Sequence, residues 1–444
     1  MRKRILTACV CAVVLAGAGV QARAQAPAAA APAFDAKAES DVVDAVSKVL
    51  IENYIFPGKA KDAATLIGDN LKAGRYAGLA RDAFAKQLTG DLQSVTHDKH
   101  MRVRVDGTPP PEMASHGPPP PTTFGFERAD RLKGNIGYFK IDGFMGAEAL
   151  SIAADELIPK LVGTDALIID MRDNHGGDPS GVSRLVSFFV APGASVHVND
   201  IIWRKAGTTE YSTETYLTTP TAVSYRKPVY LLTASGTFSG GEEFSYDMQV
   251  LKLATLYGET TGGGANPGQP WPVGAGLSIF VPTGRAENPI TKTNWEGKGV
   301  KPDVATPAAD AFSAAYADAL KAAQRAPVAA TGPDAVTTET LLVPRTRPYP
   351  QGEAYIRRQI DGLVKGEQPF DIFSPGLKEE LKGPVPPELQ AMMKDAGAVQ
   401  SARFARVDPT GSDEYDVTLA KAEYVWVLAI NADGKIVVTF FRPK

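Results

Sequence analysis

The 444-residue chain sets 47 Lys and Arg against 50 Asp and Glu, a formal charge of −3, with 44% hydrophobic residues and two cysteines. A mildly acidic balance argues against nucleic acid and anionic membrane as main partners. The length allows about two or three domains, and no run beyond the N-terminus is long and apolar enough to span a bilayer.

Residues 1–24 read as a cleavable export signal: Arg2, Lys3 and Arg4 precede an apolar run from Ile5 to Val20, and Ala22-Arg23-Ala24 is a small-x-small cleavage site. Cleavage before Gln25 leaves a chain of charge −7 without Cys9 and Cys11. The expected mature protein has no disulfide, Cys-ligated metal or Cys nucleophile, and is exported to a bacterial periplasm or secreted. Residues 25–37 form a low-complexity tether.

Residues 38–106 form a helical unit. Ser40 is expected to cap a helix in which Val42, Val46, Leu50 and Tyr54 recur at helical spacing and which Pro57-Gly58 ends. Two more helices follow at 62–72 and 82–94, the latter with Phe84, Leu88 and Leu92 on one face. Helical spacing then gives way to strand-like alternation around His97, Asp98, Lys99 and His100. The two histidines suit a metal pair, a general base or plain loop residues. No third histidine or carboxylate pair stands nearby in sequence, so no metal is assigned. Residues 107–123 are a proline-rich linker.

The core, residues 124–325, alternates strands and helices. A strand at 137–141 and a helix at 147–161 lead to a buried parallel-type strand, Ala166–Ile169. Asp170, Arg172, Asn174, Gly176 and Gly177 follow, before a helix at 180–190. A second strand, Val229–Thr233, runs into a turn crowded with Ser235, Gly236, Ser239, Gly240 and Gly241, then a helix at 242–253 and a strand at 254–257. In open α/β sheets ligands bind at the carboxyl ends of strands, so these two loops are expected to face one crevice. Ser239 either caps the helix or attacks a carbonyl whose oxyanion the Gly240 N–H steadies. Thr237 stands where a Gly-x-Ser-x-Gly elbow would have its first glycine. Asp170 and Arg172 suit a loop-tying ion pair; Gly176 and Gly177 serve as turn residues or as further N–H donors.

DKHMRV (98–103), the Asp-x-Arg-x-Asn-x-Gly-Gly loop (170–177), TFSGGEEF followed by GETTGGG, and WEGKGVKPDV (295–304) occur in this order. The set resembles the serine peptidase superfamily of C-terminal processing peptidases, the tricorn core and the interphotoreceptor retinoid-binding protein. The resemblance implies an αββ-type, crotonase-like core within a multi-domain α/β and α+β chain. Processing peptidases use a Ser/Lys dyad, but no lysine occurs between Lys252 and Lys292. The tricorn-like branch implies His100 as base, Ser239 as nucleophile and Glu296 as orienting carboxylate, with Lys99 where that branch has a second serine. Asp170, Arg172 and Asn174 would support the loop, and Gly240 with Gly176 or Gly177 would form the oxyanion hole. Neither cofactor nor metal is implied, and no PDZ-like insert is visible.

Residues 326–338 read as a second linker. Residues 339–444 follow with helices at 353–364, after Ser374-Pro375, and at 387–396, then four strands. Tyr424, Trp426, Leu428 and Ile430 alternate, so one apolar face is expected. Helices followed by a meander resemble the cone-shaped nuclear-transport-factor-2-like (SnoaL-like) domain, an accessory or dimerisation module. The expected function is peptide-bond hydrolysis on peptides or unstructured protein tails. A non-catalytic binder of apolar ligands or peptides in the same cleft is the alternative, and self-association stays open.

Overall fold

A computed structural model describes residues 34–108 and 122–444. The segment expected to be an export signal, both cysteines, most of the expected tether and the proline clusters of the first linker lie outside the described residues.

The chain begins with α1 (Ala36–Asn53), α2 (Pro57–Lys72), α3 (Arg81–Thr96) and β1 (Arg102–Val105). Asp35, not Ser40, caps α1, its carboxylate accepting the Ala38 N–H at 2.9 Å. Ser40 sits one turn inside. Pro57 opens α2 instead of merely closing α1, because the first helical position needs no N–H and suits a fixed φ.

The core runs through β2 (Phe126–Leu132), β3 (Ile136–Ile141), α4 (Ala147–Leu161), β4 (Ala166–Asp170), α5 (Pro179–Val186), β5 (His197–Arg204), β6 (Tyr211–Leu217), β7 (Val229–Thr233), α6 (Gly240–Val250) and β8 (Thr255–Gly258). It continues through β9 (Gly268–Gly274), β10 (Leu277–Pro282), β11 (Gly284–Glu287), β12 (Val304–Ala305), α7 (Ala308–Ala322) and β13 (Thr337–Thr340). Seven strands form the central sheet in the order β12-β8-β7-β4-β3-β2-β13, parallel from β3 to β12 and antiparallel at β2 and β13. Every residue of β4 and β7 is buried, as strands covered on both faces require. The pleat divides them. Leu167, Ile169 and Leu231 join Leu150, Leu157, Phe244 and Met248 on one side, while Ile168 and Leu232 join Phe312 and Tyr316 of α7 on the other. β13 shows that the stretch read as a linker leads straight into an edge strand, with Thr337 opposite Leu132.

Two tertiary features were not visible in the sequence. The β9–β10 hairpin crosses to the N-terminal helices, where β10 pairs antiparallel with β1, Val103 opposite Ile279. Leu277, Ile279 and Val281 thereby complete the core of Val46, Leu50, Leu88 and Leu92. The C-terminal domain comprises α8 (Gly352–Lys365), α9 (Pro375–Glu380), α10 (Pro387–Ala396) and β14 (Val399–Val407), β15 (Asp413–Leu419), β16 (Glu423–Ile430) and β17 (Ile436–Pro443), an antiparallel meander. Tyr424, Trp426, Leu428 and Ile430 face its own helices, as the alternation predicts. The opposite face is buried too: Val425, Val427 and Ala429 are nearly inaccessible. Ala429 joins the central core, with Val437 and Val438 packed against it. At the same seam Glu148 of α4 accepts the Gly376 N–H at 2.9 Å and the Ser374 hydroxyl. No helix among the described residues is long and apolar enough to cross a membrane.

Candidate active site

β4 and β7 lie side by side in parallel register, Asp170 beside Leu232, so their following loops open at one end of the sheet. Asp170 is buried and takes Arg172 Nε at 2.9 Å, Arg172 Nη2 at 2.6 Å and the Tyr138 hydroxyl at 2.9 Å. Arg172 then reaches the Ala308 carbonyl at the start of α7. This pair ties the loop to the layer beneath it. Asn174, fully buried, donates to the Ile141 carbonyl and accepts the Gly176 N–H, both at 2.9 Å.

The backbone of Ser239 has φ 53° and ψ −120°, a conformation that a residue with a Cβ adopts at a cost of about 1–3 kcal/mol. It persists because its surroundings leave no alternative. The Phe238 N–H is held by the Asn174 carbonyl at 2.9 Å, and buried Thr237 donates its hydroxyl to the Met171 carbonyl at 2.8 Å. Glu242 Oε2 accepts the Ser239 N–H at 3.0 Å, the acidic arm of a capping box. The Ser239 carbonyl accepts the Glu242 and Glu243 N–H groups at 2.9 Å each, and its hydroxyl stands at the serine arm of that box, over the Glu242 N–H.

Gly176 and Gly177 press against this turn. A Cβ on Gly176, at φ 110°, would come within 2.7 Å of Ser239 Cβ and 3.1 Å of its Oγ. One on Gly177, at φ 135°, would strike the Phe144 carbonyl oxygen at 2.1 Å, and one on Gly240 would sit 3.1 Å from the Gly177 nitrogen. Only glycine permits this approach. The Gly176 N–H is committed to Asn174, whereas Gly177 is exposed and, among the described residues, neither its N–H nor that of Gly240 donates a hydrogen bond. Of the two loop glycines offered by the sequence, Gly177 is therefore the one with a donor to spare.

His100 enters the same cleft from the N-terminal unit. Its ring lies 4.6 Å from that of Phe238, the residue before Ser239. A Cβ on Gly264 would meet its Cε1 at 2.7 Å. No hydrogen bond joins His100 to Ser239 Oγ among the described residues, and His100 Nδ1 is buried without a partner. Uncomplexed sites often hold such pairs apart until substrate arrives. His97, in contrast, is exposed at the left-handed end of α3 with φ 57°. Lys99, in the place of the tricorn-like second serine, donates to the Gly262 carbonyl at 2.6 Å.

Glu296 accepts the Ala265 N–H at 2.5 Å through Oε2, while its Oε1 is buried and unpartnered. Asp98, His100 and Glu296 offer ligand atoms all within 4.8 Å of one another, a set that could also hold a divalent metal ion. Burial, and then nearby Arg102, pushes His100 down to about 4, keeping the imidazole neutral. Burial, and then the charge of Asp98, pushes Glu296 up to about 8. Burial raises Asp98 to about 6 against the opposing pull of its hydrogen-bond donors.

Sequence reasoning missed Glu242, Asp98 and Asn266. Glu242 also accepts the Gly263 and Gly264 N–H groups at 2.6 and 2.8 Å, joining the serine turn to the glycine loop. Its signal was the Ser-x-x-Glu spacing from Ser239. Asp98 had only its place two residues before His100, and Asn266 had none.

Residues 135–306 match Peptidase family S41, and residues 26–126 match the N-terminal domain of peptidase S41 in eukaryotic IRBP. A curated relative, the chloroplastic carboxyl-terminal-processing peptidase 2 of Arabidopsis thaliana, is 30% identical over 172 residues, which cover 38% of this chain and 31% of that protein. The chain thus spans about a third of its length. Among solved structures, a peptidase from Parabacteroides merdae aligns at 21% identity and TM-score 0.46, covering 61% of this chain and 90% of that one. The photosystem II D1 C-terminal processing protease aligns at 15% identity and TM-score 0.40, covering 61% and 93%. By the two family matches, residues 135–306 of the chain belong to peptidase family S41, preceded by an N-terminal domain of the IRBP type.

Proposed function

We propose that the protein is an exported serine endopeptidase that hydrolyses peptides or unstructured protein tails through an acyl-enzyme. One observation carries the reading: Ser239 stands on a strained turn at the N-terminus of α6, and the uncommitted Gly177 and Gly240 N–H groups flank it. A serine held at such a cost, beside two idle donors, suits attack on a carbonyl. Ser239 Oγ bonds to the substrate carbonyl carbon while its proton passes to His100 Nε2. The oxyanion is met by the two glycine N–H groups. His100 returns the proton to the leaving amine, and water then cleaves the ester with His100 again as base. Glu296, within 4.8 Å of a ring nitrogen of His100, tunes the imidazole. Asp170, Arg172 and Asn174 hold the loop that presents Gly177. No step calls for a metal. Family membership supports the reaction class, and the export signal in the sequence supports the location.

The test is reaction of the purified mature protein with a fluorophosphonate probe, read by intact mass, beside Ser239→Ala. A single adduct that Ser239→Ala abolishes supports the reading. Equal labelling of both proteins removes Ser239 from the mechanism. No adduct on either returns the cleft to the alternative of a binding module.

A further inference from the structure

Two carboxylates face one imidazole in this cleft, and they differ in what surrounds them. Asp98 is 1% exposed and accepts three hydrogen bonds: the Asn266 side-chain amide at 2.9 Å, the His100 backbone N–H at 3.1 Å and the Tyr54 hydroxyl at 3.2 Å. Glu296 accepts the Ala265 N–H and feels the Lys99 backbone N–H, both backbone donors, and its Oε1 is buried without a hydrogen-bond partner. Like-charged carboxylates within 4.8 Å of each other are not both ionised at low cost, so such a pair tends to share one proton. Donors stabilise the charged form, and Asp98 has the larger set, two of them side chains placed for it.

We propose that Asp98, not Glu296, is the ionised positioning residue of His100, and that Glu296 stands beside it as the neutral acid of the pair. The proposal rests on the serine-hydrolase reading and deepens it. Asp98 Oδ1 accepts the His100 backbone N–H at 3.1 Å and lies 4.0 Å from His100 Nδ1, so it fixes the residue and stands next to the ring nitrogen it would pair with. The remaining charged groups agree with the assignment. Lys59 of α2 donates to the Thr96 carbonyl nearby and favours the Asp98 anion. Glu242 of α6 acts on Glu296 and disfavours its ionisation. Arg102 of β1 acts against a charged His100. Because Tyr54 ends α1 and Asn266 belongs to the loop after β8, the seam between the N-terminal unit and the core sets the charge of this carboxylate.

The experiment pairs fluorophosphonate labelling rates across about pH 5 to 9 with NMR titration of the His100 imidazole, in wild type, Asp98→Asn, Glu296→Gln and Tyr54→Phe. Thermal melts check that each variant is folded. Asp98→Asn is expected to lower the plateau labelling rate about 100-fold or more and to shift the His100 titration downward. Glu296→Gln, which replaces a neutral acid by a neutral amide, is expected to cost less than about tenfold and to leave the His100 titration in place. Tyr54→Phe removes one donor from Asp98 and moves the acid limb of the rate profile upward. A larger loss from Glu296→Gln than from Asp98→Asn overturns the assignment, as does an acid limb that ignores Tyr54→Phe. The NMR arm keeps the two readings apart. If labelling is independent of Ser239 while Asp98→Asn still shifts the His100 titration, the nucleophile is wrong and the positioning role stands. If Ser239-dependent labelling is normal and only Glu296→Gln shifts His100, the reverse holds.

Discussion

Two seams cross this molecule, and they spend their polar groups differently. Where the C-terminal domain meets the core, Glu148 uses both carboxylate oxygens to hold Ser374 and Gly376, and Ala429 is packed into the central core. Where the N-terminal unit meets the core, His100 Nδ1, Glu296 Oε1 and Asn266 Oδ1 are buried without partners. A buried polar atom left unpaired costs about 1–3 kcal/mol. The first seam leaves one such atom, the hydroxyl of Tyr349, which packs against both cores; the second gathers three in one cleft, a larger expense that fits a place where protons and substrate come and go.

That contrast can be broken at several points. Ser239→Ala is expected to abolish labelling at the second seam while leaving the melting temperature unchanged or raised, since alanine does no worse than serine in that strained turn; probe mass and a thermal melt check it. Gly177→Ala forces a Cβ toward the Phe144 carbonyl at positive φ. It should cost at least about 2 kcal/mol of stability and lower labelling on the order of 100-fold through a displaced N–H. Glu148→Gln should do the opposite, costing about 1–2 kcal/mol in urea unfolding while the labelling rate holds. If Glu148→Gln instead slows labelling, the two seams are coupled and the contrast fails.

The buried acids give the fold a pH signature. Glu296 and Glu243 are each pushed up to about 8, mainly by burial, and Asp247 is raised by burial and by Glu243. Groups held above their ordinary range favour the protonated folded state. Their contribution is complete below that range and is lost as pH rises through about 8. His100, pushed down to about 4 from 6.5, acts only below its ordinary value. The melting temperature should therefore fall from about pH 6.5 to 8.5, and Glu243→Gln should flatten that fall. A curve that rises over this window refutes it. The smallest expected effect is that of a chelator. EDTA should leave labelling unchanged, whereas added Zn²⁺ on His100 Nδ1 would place the proton on Nε2 and silence the base.

Much of the fold was legible because its signals are local. Val229–Thr233 and Ala166–Ile169 announce themselves as apolar runs, α4 appears at its expected residues, and the Asn-Ala-Asp-Gly run 431–434 makes a tight turn between β16 and β17, the Asn431 N–H reaching the Lys435 carbonyl at 2.9 Å. Less legible was the β9–β10 hairpin, whose Pro270, Pro272 and glycines mask its alternation. Its place depends on pairing with β1 across more than a hundred residues. The alternation in β16 correctly named one apolar face, but burial of the other depends on a neighbour that no local pattern encodes.

By itself, the order of residues offered the candidates for chemistry: a serine in a glycine turn and a histidine at a helix-to-strand junction, joined through the family resemblance by a glutamate in a distant loop, with no lysine between Lys252 and Lys292. Tertiary structure alone decided how those groups are charged and which are free. Ionisation of Asp98 or Glu296, and the choice of Gly177 over Gly176 as an open donor, depend on desolvation and on hydrogen bonds from segments far apart in sequence. Those quantities are properties of the assembled cleft, and they exist only once the chain has closed around it.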